Sequence, residues 1–358
     1  MNKKILTGIF ICCVVVALVS SDIQAQLTSL NPVDVKNKKT GTAAGVELLI
    51  PVGGRGMAMS GATIATSVGI DAMYWNPAGL ARMQDQAEGM FSNMAYIADI
   101  SVNYGAVAIK FGTFGTVGLS VKAIGFGDIP FTTVDDPEGI AGRVFSPSFI
   151  TIGGSYARQF TDAITAGINF KMISENLHRV TGSGLAFDIG IQYDGVAGFE
   201  GVKLGVVLKN MGPEMKFDGT GLLKQAVVEE GRRPRQFYSS LGASFQLPTS
   251  VEIGLAYDQK MGEAMGYNVN SAYEANSLYL DSYRFGGEVF YDMNNIRLAG
   301  RGGIDLIDGG PDDENIFGPT FGFGLLFKTE AINITVDYAY RTVDYFSSNN
   351  MFSLMFGF

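Results

Sequence analysis

Ile332-Asn333-Ile334-Thr335-Val336-Asp337-Tyr338-Ala339-Tyr340-Arg341 is the stretch whose reading decides the fold. Ile332, Ile334, Val336, Tyr338 and Tyr340 alternate with Asn333, Thr335, Asp337, Ala339 and Arg341. Side chains of a strand point alternately to its two faces, so this period predicts a strand with one apolar and one polar side. The pattern recurs in Leu185 to Asp194, in Val251 to Asp258 and in Ile164 to Lys171. A soluble sandwich and a transmembrane barrel both use such strands. Length separates them: soluble strands cluster near 5 or 6 residues, whereas a tilted strand needs about 9 to 11 to cross a bilayer. Many segments here run to ten or more, which selects the barrel.

Composition narrows the classes further. Only 17% of the 358 residues are charged and 47% are hydrophobic, which excludes a disordered chain. Glycine supplies 47 residues, close to twice the usual share of about 7%, and argues against a helical protein. The only long apolar run is Ile5 to Val19, behind Lys3 and Lys4 and followed by Gln24-Ala25-Gln26. That layout predicts a secretory signal peptide over residues 1–25. Its removal takes away both cysteines, Cys12 and Cys13, and moves the net charge from −9 to −10. An exported chain of this kind has no thiol chemistry, and its charge disfavours nucleic acid.

The expected architecture is all-β: an antiparallel transmembrane barrel of 14 strands over residues 86–358. It follows a flexible segment at 26–42 and a plug-like, partly helical segment at 43–85. Strands are expected from near Ala87, Ile100, Gly115, Ser148, Ala163, Gly184, Val202, Gln236, Val251, Leu278, Ile296, Phe317, Ala331 and Met351. Short connections are expected around Gly112 to Phe114, Thr161-Asp162, Gly195 to Gly201, Leu247 to Ser250, Met293 to Asn295 and Thr329-Glu330. Long polar ones are expected at Asp128 to Pro147, Pro213 to Arg235, Gln259 to Ser277 and Asp305 to Asn315. Short turns on one side and long loops on the other are the habit of outer-membrane barrels. The last strand, with Phe352, Leu354, Phe356 and Phe358, resembles the assembly signal of such proteins.

Residues 43–85 do not alternate. They carry Gly53-Gly54-Arg55-Gly56-Met57-Ala58-Met59-Ser60-Gly61-Ala62 and then Asp71-Ala72-Met73-Tyr74-Trp75-Asn76-Pro77-Ala78-Gly79-Leu80. Together with Tyr96 to Asp99 and Leu208 to Gly212, these motifs resemble the PorV/PorQ family within the FadL-type outer-membrane proteins. The resemblance implies an alanine-rich helical stretch before the first strand, with Arg55, Gly56, Met57, Gly61, Trp75, Asn76, Pro77, Ala78 and Gly79 as its family motif. It also implies type IX secretion, in which the protein binds the C-terminal signal domains of cargo at the translocon. The alternative is a FadL-like transporter of hydrophobic small molecules. Physically, a barrel this wide cannot be filled by its own side chains, so residues 43–85 either plug the lumen or simply lead the chain into the first strand.

Catalytic chemistry is sparse. His178 is the single histidine, and Ser174, Glu175 and Ser183 near it read as loop neighbours rather than a triad. Gly53 to Gly61 lacks the lysine-serine/threonine ending of a phosphate loop. The acidic run Asp308, Asp312, Asp313, Glu314 lacks calcium-loop spacing, and Arg232, Arg233 and Arg235 are balanced by Glu229 and Glu230. No catalytic, metal or cofactor site is expected. Alternation instead points Asn169, Lys171, Asp188, Gln192, Asp258, Arg297, Arg301, Asp337 and Arg341 into the lumen, where both signs are present to pair. The expected surroundings are outer-membrane lipid and lipopolysaccharide. For a cargo carrier, Ile129, Phe131, Ile140, Val144, Phe145 and Tyr267 are candidate outer contacts.

Overall fold

The alternation read at 332–341 becomes an antiparallel strand, Asn333–Val343, that buries Asp337 and Ala339 inward and turns Val336 outward. In the computed structural model, which describes residues 43–140, 142–226, 236–239, 242–278, 280–308 and 315–358, this strand is one of fourteen that close into a single barrel. In chain order they are β1 Ala87–Ala95, β2 Ser101–Lys110, β3 Thr116–Gly125 and β4 Ser148–Gln159. Next come β5 Ile164–Leu177, β6 Val180–Asp194, β7 Val202–Met211, β8 Ser250–Met261 and β9 Met265–Asn276. The wall is completed by β10 Ser282–Met293, β11 Ile296–Ile307, β12 Phe317–Lys328, β13 Asn333–Val343 and β14 Asn349–Gly357. Each pairs antiparallel with its neighbours, and β14 returns to β1 in the register Glu88↔Gly357 to Ala95↔Asn350. Closure leaves no open edge, as a bilayer requires. No helix among the described residues is long and apolar enough to cross a membrane.

The outward face is apolar along its length, with Val107, Leu119, Val269, Val289, Phe321 and Phe352 all exposed. Lipid covers these side chains in the membrane. The strand count was reached by two compensating errors. The segment at Gln236 is a four-residue strand, Gln236–Ser239, paired with Leu223–Ala226 in an outer connection, not a barrel strand. The polar stretch 259–277, expected as a loop, instead holds β9. β8 therefore descends toward the short-turn side, the turn there is 262–264 rather than Leu247 to Ser250, and Tyr267 lies on the lipid face beside Tyr257, at 6.5 Å, rather than on an outer loop.

Residues 43–86 pack inside this wall. They form short pieces, Val46–Leu49, α1 Gly54–Ala58, Ala62–Ala65, Gly69–Asp71, α2 Ala72–Trp75 and Pro77–Arg82, where the resemblance implied one helical stretch. Glycines at Gly53, Gly61 and Gly69 with positive φ break any longer helix. Met57, Met59, Ile64, Ile70, Met73 and Leu80 are fully buried. The wall admits them because its inward glycines stand opposite plug atoms: Gly118 against Met73, Gly167 against Pro77, Gly190 against Asn76, Gly254 against Ile64, and Gly286 and Gly303 against Met59. A side chain at any of these would occupy plug space. Residues 1–25 and 26–42, together with Arg232, Arg233, Arg235, Glu229, Glu230, Asp312, Asp313 and Glu314, lie outside the described residues.

Candidate functional site

Two structures set the properties of the lumen: the seating of the plug and the chamber above it. The Trp-Asn-Pro-Ala-Gly block is a local cap. Asn76 stands before the 3₁₀ turn Pro77–Arg82, its carboxamide oxygen accepting from the Ala78 N–H at 3.2 Å. Its amide nitrogen donates to the Ile64 carbonyl at 2.9 Å and to the Ile191 carbonyl of β6 at 3.2 Å. One buried side chain thus ties two plug turns to the wall. Gln192, on the same wall strand, donates to the Ile64 and Ser67 carbonyls. Gly56 and Gly61 sit against the Trp75 ring and Gly79 against the Ser67 carbonyl, contacts too close for a side chain. Met57, Trp75, Pro77 and Ala78 are buried.

Arg55 of α1 reaches the opposite wall. Its guanidinium pairs with Glu288 of β10 at 3.2 Å and donates to the Thr66 carbonyl. Arg301 of β11 binds both Glu288 and Asp337 of β13, so a buried Arg55–Glu288–Arg301–Asp337 chain locks plug to wall. Nearby, burial pushes the Asp71 carboxyl up to about 7, against the pull of Arg55. The first plug turn is held differently. Lys122 of β3 donates to the Glu47 and Ile50 carbonyls, and the Glu175 carboxylate of β5 accepts from the Gly45 N–H at 2.7 Å. Glu47 itself is buried without a hydrogen-bond partner for either oxygen, and burial, then the neighbouring Glu175, push its carboxyl up to about 8.

The residues that alternation points inward fall into separate groups. Lys171 pairs with Asp188 at 2.7 Å and donates to Asn210, while Asn169 donates to Asp188 and to the Met73 carbonyl. Asp258 pairs with Lys203 at 2.6 Å, and Arg297 grips Asp292 through two bonds; both groups lie at the short-turn end. Arg301 and Asp337 belong to the plug lock, and Arg341 stands in the chamber. Glu252, Glu274, Arg284, Glu288 and Lys209 went unremarked as lumen groups: Lys209 and Arg284 both bind Glu252, and Arg284 also binds Glu274. Alternation running through the glycine of Ser282-Arg284-Gly286-Glu288 carries the signal that would have found them.

The chamber occupies the outer half of the lumen, with a volume of about 530 Å³. Its floor includes Tyr74 and Trp75; its upper wall includes Tyr96, Ile100, Phe126, Phe149 and Phe317; and Lys171, Lys209, Glu252, Arg284 and Arg341 project into it. Beside it the wall is irregular. The register between β6 and β7 shifts between Phe187 and Ile189, and Asn210 adopts φ of 56° while its N–H donates to Asp188. β7 stops at Met211, and the outer part of β6 pairs instead with Met215–Asp218.

Outside the barrel, His178 turns the β5–β6 hairpin with φ of 63° and packs against Phe131 at 5.6 Å and Phe145 at 5.7 Å. Its ring neighbours are aromatic; Ser174 and Ser183 are cross-strand partners of each other. Ile129 pairs with Phe145 and Pro130 with Val144 at the neck of the β3–β4 connection, which exposes Val134 (98%) and Ile140 (81%).

The family model described as "Type IX secretion system protein PorV" matches residues 33–279. No curated protein sequence matches the chain. Among solved structures, the Ralstonia pickettii toluene transporter TbuX is similar, with 13% identity, 85% of this chain and 97% of that chain covered, and a TM-score of 0.53. A Pseudomonas aeruginosa FadL homologue is similar at 10% identity, covering 86% of this chain and 98% of that one, with a TM-score of 0.50. At such identities these likenesses speak for the fold. With the closed barrel and the family match, they place the protein in the outer membrane of a Gram-negative bacterium.

Proposed function

Since this chain belongs to the family of the type IX secretion system protein PorV, we propose that it is a non-enzymatic carrier that binds the C-terminal signal domains of secreted cargo at the cell surface. The observation that carries this reading is the outer connection between β3 and β4. It presents Val134, Ile140 and Val144 to solvent on a base fixed by the Phe131, Phe145 and His178 rings and by Arg143 over Phe131 at 5.2 Å. Apolar side chains held out on a braced loop, beyond the lipid, suit a protein partner.

A FadL-like transporter of hydrophobic molecules is the second reading, and the wall irregularity at Phe187 to Met211 beside the chamber is what favours it. Recovery of the tagged protein in mild detergent separates the two. A carrier brings down cargo C-terminal domains or a large translocon, and V134D/I140D loses them while keeping heat-modifiable mobility on gels. Co-purified fatty acid without protein partners would overturn the carrier.

A further inference from the structure

Arginines in this lumen are gripped by carboxylates. Arg55 uses its Nε and Nη2 edge on the two oxygens of Glu288, Arg297 does the same on Asp292 at 2.6 and 2.8 Å, and Arg284 and Arg301 each hold two carboxylates. Arg341 differs. It lies on β13 inside the outer chamber, its guanidinium 3.8 Å from the centre of the Phe317 ring and 5.9 Å from that of Tyr96. Among the described residues it makes no ion pair, and its Nε and Nη2 are buried without a hydrogen-bond partner. Those two atoms form the side-on edge with which a guanidinium takes both oxygens of one anion. A buried donor pair left unmet is costly, and the aromatic faces fix the plane in which it waits.

We propose that Arg341 is a binding site for an organic carboxylate entering the outer chamber, with the apolar chain next to that carboxylate lying on Phe317 and Tyr96. The choice of anion follows from the neighbours. Glu252, Glu274 and Asp305 line the same chamber, so a phosphate dianion meets more repulsion than a single planar carboxylate. Tyr96, Ile100, Phe126 and Phe149 continue the apolar surface toward the outer rim, which suits a ligand with a charged tip and a hydrophobic flank. The site goes beyond the carrier reading. A cargo chain can supply the carboxylate from its C-terminus, and a free fatty acid can supply it as well.

Trp75, the chain's only tryptophan, lines the chamber and serves as a built-in reporter. Its emission is followed in a non-ionic maltoside detergent against two pairs of probes: an apolar decapeptide with a free C-terminus and its C-terminal amide, and decanoate and decan-1-ol. Within at least one pair, the acid should saturate the change at a concentration roughly tenfold or more below the neutral partner. R341Q should abolish that preference, and R341K should keep part of it. Preference for the peptide acid alone identifies a polypeptide source, preference for decanoate alone identifies a lipid source, and both support the site. Equal responses to acid and neutral probes in both pairs overturn it, as does an acid preference that survives R341Q. The wild-type comparison decides even if the variant fails to fold. The pull-down above decides the carrier reading separately.

Discussion

Glu288 is where a single side chain matters most. It answers two arginines, one from the plug and one from the wall, at a site shielded from water. Removing its charge leaves Arg55 and Arg301 with one carboxylate, Asp337, on the Arg301 side, and breaking a buried pair in this way costs about 3–5 kcal/mol. The partly exposed Arg297–Asp292 pair, with side chains 35% and 34% accessible, is the natural contrast. Surface pairs are worth at most about 1 kcal/mol, because water and salt compete for them. In urea titrations of the detergent-solubilised protein, E288Q should lower the unfolding midpoint markedly and D292N scarcely at all. Equal effects would mean that the lock does not bear on stability. Alternation in the sequence reaches Arg301 and Asp337, but not Glu288, the second carboxylate that Arg301 holds, since which inward groups meet depends on the register from β10 to β13.

At the scale of elements, the first plug turn carries a built-in pH response. Glu47 faces Glu175 and Lys122, and its carboxyl lies at about 8 in the seated plug against an ordinary value of 4.5. A carboxyl whose pKa is raised by burial favours seating when protonated. Its contribution is whole below about pH 4.5 and is lost as pH rises through about 8. Protease access to residues 43–52 should therefore increase between those limits, and E47Q should flatten the profile; a wild-type profile that is already flat would refute this. Strand elements show how far patterning alone carries. β9 hid because Ser271 and Ala275 dilute its outward face while Asn268, Asn270 and Glu274 fill its inward one, so its mean composition is that of a loop. The segment at Gln236 misled for the opposite reason: Phe237 and Tyr238 read as a strand, yet they lie exposed in an outer connection.

For the whole molecule, the ring of inward glycines and the plug are a matched pair. A tryptophan at Gly190, opposite Asn76, or at Gly254, opposite Ile64, removes the space in which the plug backbone lies. In planar bilayers the native protein should conduct ions poorly, and G190W should raise single-channel conductance several-fold while barrel mobility on gels is kept. An unchanged conductance would show that the plug tolerates displacement without opening a path. Class, solvent and approximate strand length were legible in the sequence alone. A period of two over ten residues, with no apolar helix beyond the leader-like N-terminus, leaves lipid as the partner of one face whatever the register. The cap at Asn76 was also legible, because it acts between residues close in sequence. The tertiary structure decided which carboxylate each lumen cation meets, which glycines yield to the plug, and that Arg341, among the lumen arginines described, enters the chamber without an ion pair. Those relations join residues up to hundreds of positions apart, and only closure of the sheet, which sets every strand against every other around one axis, brings them within a hydrogen bond.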